Sequence, residues 1–521
     1  MYIPSIRRRW FLIGTVTIAG AFAAVTAATM RLGDRGRAMA IDLIEERFER
    51  EVELEELTLR VLPSARASGR GMVVHQKPGH DLPPFIAIES FDVDVNLLTL
   101  LLFRPIEIER VEIRGLEIHV PPDGEGQGEG SEGEERDDAG SDDGGDRAVP
   151  AFLIEEVNAP DTQLYIHSRD PGDPPLLWDI QDLRLESAGT TDPMLFDATL
   201  RNAKPPGLIR SAGSFGPWRE DDLAATPVSG EYTFDDADLS VFGGIRGTLS
   251  SEGRYSGVLG RLDVVGTTDT PDFALDISGK PIHLKTEFET VVDGTNGDTL
   301  LEPVRAWIGG TALEARGGVV HREGIDGKTI SLDVVVPEGR LQDLLTLGIA
   351  SEEPFMTGTI RFEAQFLLPQ GDQDVIDKLR LDGSFGIERS TFAEPTLQEK
   401  IDTLSSRSRG EHEDPERVAS NFAGDFTLES AILNLSRLTF QVPGADVELE
   451  GTYGLKSEQV DMRGKIHMDA RLSEATTGFK SFLLKLVDPF FGGDRGNGAS
   501  IPIKITGTRD EPDIGLNLGG E

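Results

Sequence analysis

Residues 501–518 read IPIKITGTRDEPDIGLNL. Ile501, Ile503 and Ile505 are separated by Pro502 and Lys504; Ile514, Leu516 and Leu518 are separated by Gly515 and Asn517. A period of two puts every apolar side chain on one face of an extended strand and leaves the other face to water. Between the runs lie Gly507, Asp510 and Pro512, the chemistry of a turn. The same grammar recurs upstream. Ile466, Met468, Ala470 and Leu472 alternate, as do stretches within 446–449, 359–367, 329–336 and 154–166. Phe91, Val93 and Val95 alternate with Asp92 and Asp94. The 59 glycines and sparse aromatics fit many short strands joined by tight turns.

From Ile106 to Val120 the apolar positions are Ile106, Ile108, Val111, Ile113, Leu116, Ile118 and Val120. The phase slips at Glu109–Arg110 and at Arg114–Gly115, which predicts strands interrupted by bulges or turns. The β-branched content opposes a helix.

Helical patterns are few. Residues 35–49 place Ile41, Ile44 and Phe48 at helical spacing, and 341–347 form a short apolar stretch. Residues 395–421 are charged and predict a partly helical insert. Residues 473–491 are the best amphipathic case, with Phe479, Phe482, Leu483, Leu486 and Phe490 in one stripe and Lys480 and Lys485 elsewhere. Residues 121–149 are Gly, Glu, Asp and Ser with almost no apolar residue. They cannot bury enough surface to offset chain entropy, which predicts a disordered acidic loop.

Near the start, residues 10–30 read WFLIGTVTIAGAFAAVTAATM, an uncharged run preceded by Arg7, Arg8 and Arg9. It is long enough to cross a hydrocarbon core of ~30 Å as a helix. Trp10, Phe11, Leu12, Ile13, Val16, Ile18, Phe22 and Val25 are its membrane-anchor candidates. The basic start predicts a signal anchor, with residues 1–9 in the cytoplasm and the remainder exported; a cleaved signal peptide is the rival reading.

Composition narrows the function. Of 521 residues, 51 are basic and 91 acidic, a formal charge of −40. Such a body gains no counterion-release energy on nucleic acid and is repelled by anionic lipid surfaces, apart from the basic segment around the anchor. The absence of cysteine excludes disulfides and thiolate chemistry. No dense metal-ligand motif, phosphate loop or serine elbow appears, and the eight histidines are scattered. The expectation is a protein that is not an enzyme and needs no cofactor or metal. A hydrolase acting on envelope polysaccharide has only generic carboxylates in its favour.

A half-apolar sheet must hide its apolar face against protein or offer it to an apolar ligand, and periodicity alone does not separate the two. Particular phrases add a resemblance. They are IDLIEERFERE, LPSARASGRGMVV, FIAIESFDVDVNLLTLLLFRP and VEIRGLEIHVPP before residue 123; GSFGPW at 213–218, TDTPDF at 268–273 and DGTNGDTLLEPV at 293–304; and FQVPGADVELEGTYGL, ARLSEATTGFKSFLLKLVDPFF and IPIKITGTRDEPDI at the end. In these the chain resembles the AsmA-like family, the AsmA/TamB-type bridge-like lipid transfer group of bacterial envelope proteins.

The resemblance implies a single-pass inner-membrane protein with its C-terminal body in the periplasm. It also implies a mainly β fold: one N-terminal transmembrane helix, then a long curled sheet forming an apolar groove, with a few short amphipathic helices. The parts are then a cytoplasmic start (1–9), an anchor (10–30), an N-terminal helix-plus-strands region (31–120), the acidic loop (121–149), a β-rich groove region (150–394), the charged insert (395–421) and a C-terminal β region (422–521). The implied role is to shield phospholipid chains between inner and outer membranes. The alternative is a scaffold that assists outer-membrane proteins without lipid cargo, through envelope protein partners. Candidate groove positions are Phe91, Val93, Val95, Ile466, Met468, Ile501, Ile503 and Ile505.

Overall fold

A computed structural model describes residues 50–60, 65–76, 82–96, 106–121, 152–167, 175–189, 193–217, 223–294, 297–321, 328–350, 353–371, 373–409, 417–468, 499–508 and 511–516. The expected anchor (10–30), the helix at 35–49 and the amphipathic segment 473–491 lie outside the described residues, as does the acidic loop beyond Pro121. Among the described residues no helix is long and apolar enough to cross a membrane.

The described chain is mainly β and forms two compact units. The first comprises residues up to 237 with 250–266 and 291–299; the second comprises 238–249, 267–290 and 300 onward.

In the first unit, β1 (Val52–Arg60), β2 (Ala65–Val74), β3 (Ile86–Val95) and β4 (Ile106–Val120) form an antiparallel ladder. The stretch read as one strand at 154–166 is two strands, β5 (Phe152–Asn158) and β6 (Thr162–Ile166). Both run parallel to β4, β5 beside its first half and β6 beside its end. Together they fill one place in the sheet, since both also pair with β7 (Leu176–Gly189). A parallel pairing needs a crossover of a dozen or more residues, and 121–151 supply it. The antiparallel order resumes through β8 (Met194–Ala203), β9 (Pro206–Phe215) and β10 (Pro227–Asp238).

The phase slips in β4 do not end the strand. The ladder with β3 shifts register at Asp94/Val95, skipping Glu109, and Gly115 takes φ +62. Each irregularity returns the next apolar residue to the same side. Ile108, Val111, Ile113, Leu116, Ile118 and Val120 are therefore all buried.

The strands β11 (Ile245–Arg246), β12 (Thr248–Val258), β13 (Arg261–Leu275), β14 (Ile282–Val292) and β15 (Thr299–Ile308) follow. The second unit continues with β16 (Thr311–His321), β17 (Lys328–Arg340), β18 (Met356–Leu368), β19 (Arg380–Phe392), β20 (Ser420–Glu429), β21 (Ile432–Val442), β22 (Ala445–Gly454), β23 (Gln459–Met468), β24 (Ala499–Thr508) and β25 (Pro512–Leu516). From β16 to β25 each strand pairs antiparallel with the next.

Among the described residues three short helices interrupt this ladder: α1 (Leu341–Gly348), α2 (Val375–Lys378) and α3 (Pro395–Ser408). In the insert at 395–421 the helix runs from Pro395 to Ser408, and β20 begins at Ser420. Buried Asp343 holds α1 by accepting hydrogen bonds from the Gly310 amide (3.0 Å) and the Thr311 hydroxyl (2.8 Å).

Candidate functional site

In the first unit the apolar faces of β1 to β9 meet in one buried cluster. Leu54, Met72, Ile88 and Leu116 are successive register partners and none is more than 6 % exposed. Phe91, Val93 and Val95 belong to this cluster at 2, 0 and 4 % exposure. The chain's own side chains enclose these three candidates.

The second unit is built differently. Its registers align apolar residues into rows that cross the sheet from β17 to β24. One row runs Leu332, Phe366, Leu381, Leu428, Leu433, Tyr453, Val460. The next runs Val334, Ala364, Gly383, Phe426, Leu435, Gly451, Met462, Ile505, and a third runs Val336, Phe362, Phe385, Gly424, Leu438, Leu449, Gly464, Ile503. A fourth begins at Ile360 and continues through Ile387, Phe422, Phe440, Val447, Ile466 and Ile501. No residue in the four rows is charged. Eight strands at ~4.8 Å spacing extend a row ~34 Å before twist, about the thickness of a bilayer's hydrocarbon core.

Many of these side chains are only half-buried. Phe362, Phe366, Leu381, Phe385, Leu433, Leu438, Leu449, Met462, Ile466 and Ile505 all retain exposed surface. Among the described residues of the second unit, two helices pack on one side of the rows. Leu341 of α1 packs with Met356, Ile360 and Ile387, and Leu344 and Leu345 join them. Ile401 and Leu404 of α3 pack against the cluster of Phe440, Val442, Ala445, Val447, Met468, Ile501 and Ile503. The candidates Met468, Ile501 and Ile503 therefore sit buried at the helix-covered side, and Ile466 and Ile505 are half-buried.

Phenylalanines cluster in the middle. The rings of Phe362 and Phe426 stack at 5.5 Å although β19 lies between their strands, and Phe385 is 6.2 Å from Phe426. Strands two apart sit ~10 Å apart on a flat sheet, so these rings lean across β19. Gly383 there leaves the room, and a Cβ at Gly424 would lie 2.9 Å from the Phe385 ring. The opposite face is polar and carries exposed ion pairs such as Arg437–Asp425 (3.0 Å) and Arg463–Glu450 (2.9 Å), each worth little to stability.

The polar interior of α3 fixes it in place. Gln398 accepts a hydrogen bond from the Phe392 amide (2.8 Å) and donates to Asp402 (2.7 Å) and to the Val418 carbonyl (3.0 Å). Asp402 accepts from the Val418 amide (2.9 Å).

Sequence reasoning did not select Phe362, Phe385, Phe426, Leu438 or Met462, although 359–367 read correctly as a strand; the signal that marks them is their register across seven ladders. Among the described residues no group of three or more His, Asp or Glu could hold a metal ion. Histidines distant in sequence do meet in the first unit: His119 and His167 are in ring-nitrogen contact.

No family model, curated protein or solved structure matches the chain. The geometry of the sheet must therefore carry the functional reading.

Proposed function

We propose that this protein is a non-enzymatic, membrane-anchored carrier that shields the hydrocarbon chains of phospholipids in the bacterial envelope. One observation supports the reading above others: three of the uncharged rows in the second unit keep partly exposed apolar side chains, among them Phe362, Phe366, Phe385, Leu438 and Met462, where the first unit's equivalent faces are filled. Exposed apolar surface of this size on an acidic, otherwise polar body marks a ligand or partner site. Each methylene removed from water contributes ~0.8 kcal/mol, so a two-chain phospholipid faces more than ~20 kcal/mol on leaving a bilayer bare. Chains laid on the rows of Phe, Leu, Ile and Val avoid most of that, while the headgroup stays in water. In this reading residues 10–30 hold the body at the inner membrane and the body faces the periplasm. In this reading direction comes from a gradient or a partner.

The test is site-specific photocrosslinking in the full chain. A photoreactive residue replacing Met462 is expected to give phospholipid adducts, and one at Thr427 on the opposite face of the sheet none. Adducts at Met462 that are only protein would favour the assembly scaffold. No adduct there, or equal lipid adducts at both positions, would overturn the carrier reading.

A further inference from the structure

We propose, on the carrier reading, that α3 is a latch: it lifts from the second unit's sheet at its C-terminal end and admits hydrocarbon chains to the apolar positions beneath it. Those positions include Phe440, Val447, Met468 and Ile501, all buried. They share a face with the partly exposed Leu438, Leu449, Met462 and Ile505 farther along the same four strands. Lifting α3 therefore extends the apolar track of β21 to β24 toward the strand ends.

The underside of α3 suits a part that detaches. A helix that closes a permanent core buries an apolar stripe. The buried side chains described in α3 are instead Gln398, Asp402, Ser405, Ser406 and Ser408, none more than 8 % exposed. Ile401 and Leu404 are partly buried. The polar ties are the hydrogen bonds of Gln398 and Asp402 given above, and one from Ser405 to the Pro443 carbonyl (2.8 Å). Such bonds contribute little net stability where water can replace them. The Ser408 hydroxyl is buried without a hydrogen-bond partner and gains one on opening. The apolar side chains beneath lose cover on opening, and a hydrocarbon chain restores it. Lipid therefore favours the lifted state by the same factor as lifting favours lipid.

The two ends of α3 differ. Ala393 and Glu394 join it directly to β19, and the Ala393 amide bonds to the Phe355 carbonyl (2.9 Å). The other end rests on the β21–β22 turn at Gly444, where a Cβ would lie 2.7 Å from Cγ of Arg409. Opening hinges at the first end and separates the second from the turn.

Met462 and Met468 lie on one face of β23, the first partly exposed and the second beneath α3, so photo-methionine reports both without added bulk. Full-length protein carrying it is reconstituted in phosphatidylethanolamine–phosphatidylglycerol bilayers and irradiated. Phospholipid adducts are expected at Met462 and Met468, and none at Met72 or Met194, which the first unit encloses. The chain has no cysteine, so Arg409→Cys with Pro443→Cys, joined by a short bismaleimide, fixes the moving end of α3 alone. Joining is expected to lower the Met468 adducts about 10-fold and leave those at Met462 unchanged. Should that variant fail to fold, the unaltered protein still decides: added phospholipid is expected to speed hydrogen exchange in 397–408 and not in β20 to β22. Adducts at Met462 with none at Met468, Met468 adducts that survive joining, or exchange in α3 that lipid leaves unchanged would overturn the latch while the carrier reading stands. No adduct at Met462 would overturn both.

Discussion

The ring of Phe91 lies directly over Gly69, its register partner on β2. A Cβ at Gly69 would overlap that ring, whose atoms are held by a core with almost no exposed surface. Gly69→Ala is therefore expected to destabilise the first unit by about 1–3 kcal/mol through overpacking. Pairing it with Phe91→Leu should recover part of the loss, a non-additivity that denaturant unfolding of the single and double variants would read. Simple additivity would mean that the contact does not limit packing.

The two units should respond oppositely to a buried charge. Val93 is fully enclosed, whereas Met462 is partly exposed beside Ala364, Phe426 and Leu435. Val93→Asp is expected to cost more than ~4 kcal/mol and lose cooperative unfolding. Met462→Asp is expected to cost only ~1 kcal/mol while removing lipid crosslinks from a photoreactive residue at Ile505. Equal destabilisation by both would place Met462 in a closed core.

Gln398 ties α3 to the end of β19 and to the segment before β20, accepting from the Phe392 amide and donating to the Val418 carbonyl, with a third hydrogen bond to Asp402 within the helix. Gln398→Ala leaves the Phe392 amide and the Val418 carbonyl without this partner, at an expected cost of about 2–3 kcal/mol. Hydrogen exchange should accelerate in 395–408 before it does in β20 to β22. Uniform acceleration would show that α3 does not open by itself.

Burial holds the His119 imidazole below its ordinary pKa, and neighbouring Glu117 opposes the shift. Just below the unfolded value of ~6.5, the unfolded chain therefore binds more protons at this ring than the folded chain. The stabilising contribution is complete above that value and is lost as pH falls through the folded-state pKa. Denaturation of the full chain at about pH 7.5 and about pH 5.5 should expose the loss. His119→Phe, which keeps a ring on Tyr165, should lessen it; an unchanged loss would assign the acid effect to other groups.

Period-two patterning was enough to place strands at 91–95, 329–336, 359–367, 446–449 and 501–505, which lie within strands; of the runs 466–472 and 514–518, residues 466–468 and 514–516 lie within strands and the remainder lies outside the described residues. The slips in β4 were visible because a bulge shifts apolar phase by one residue. What the apolar face does was not visible. Phe91–Val93–Val95 and Ile501–Ile503–Ile505 share one pattern, yet the first is sealed by its own unit and the second runs from a helix-covered side to a half-exposed position. The difference is made by which strands stack and by where α1 and α3 lie, and neither leaves a local trace. The pairing of His119 with His167 was hidden for a related reason: parallel neighbours are joined by a long link, so contact and sequence separation part company.

That link has a practical side. Val120 must connect to Phe152, which pairs with Ile106 at the opposite end of β4. The return is ~46 Å, which an extended chain covers in about 14 residues. Residues 121–151 are roughly double that need, and ten more would raise the closure entropy by only ~0.3 kcal/mol. An epitope or fluorescent reporter spliced into this stretch should leave every strand register as it is, giving a handle for following the molecule in living cells.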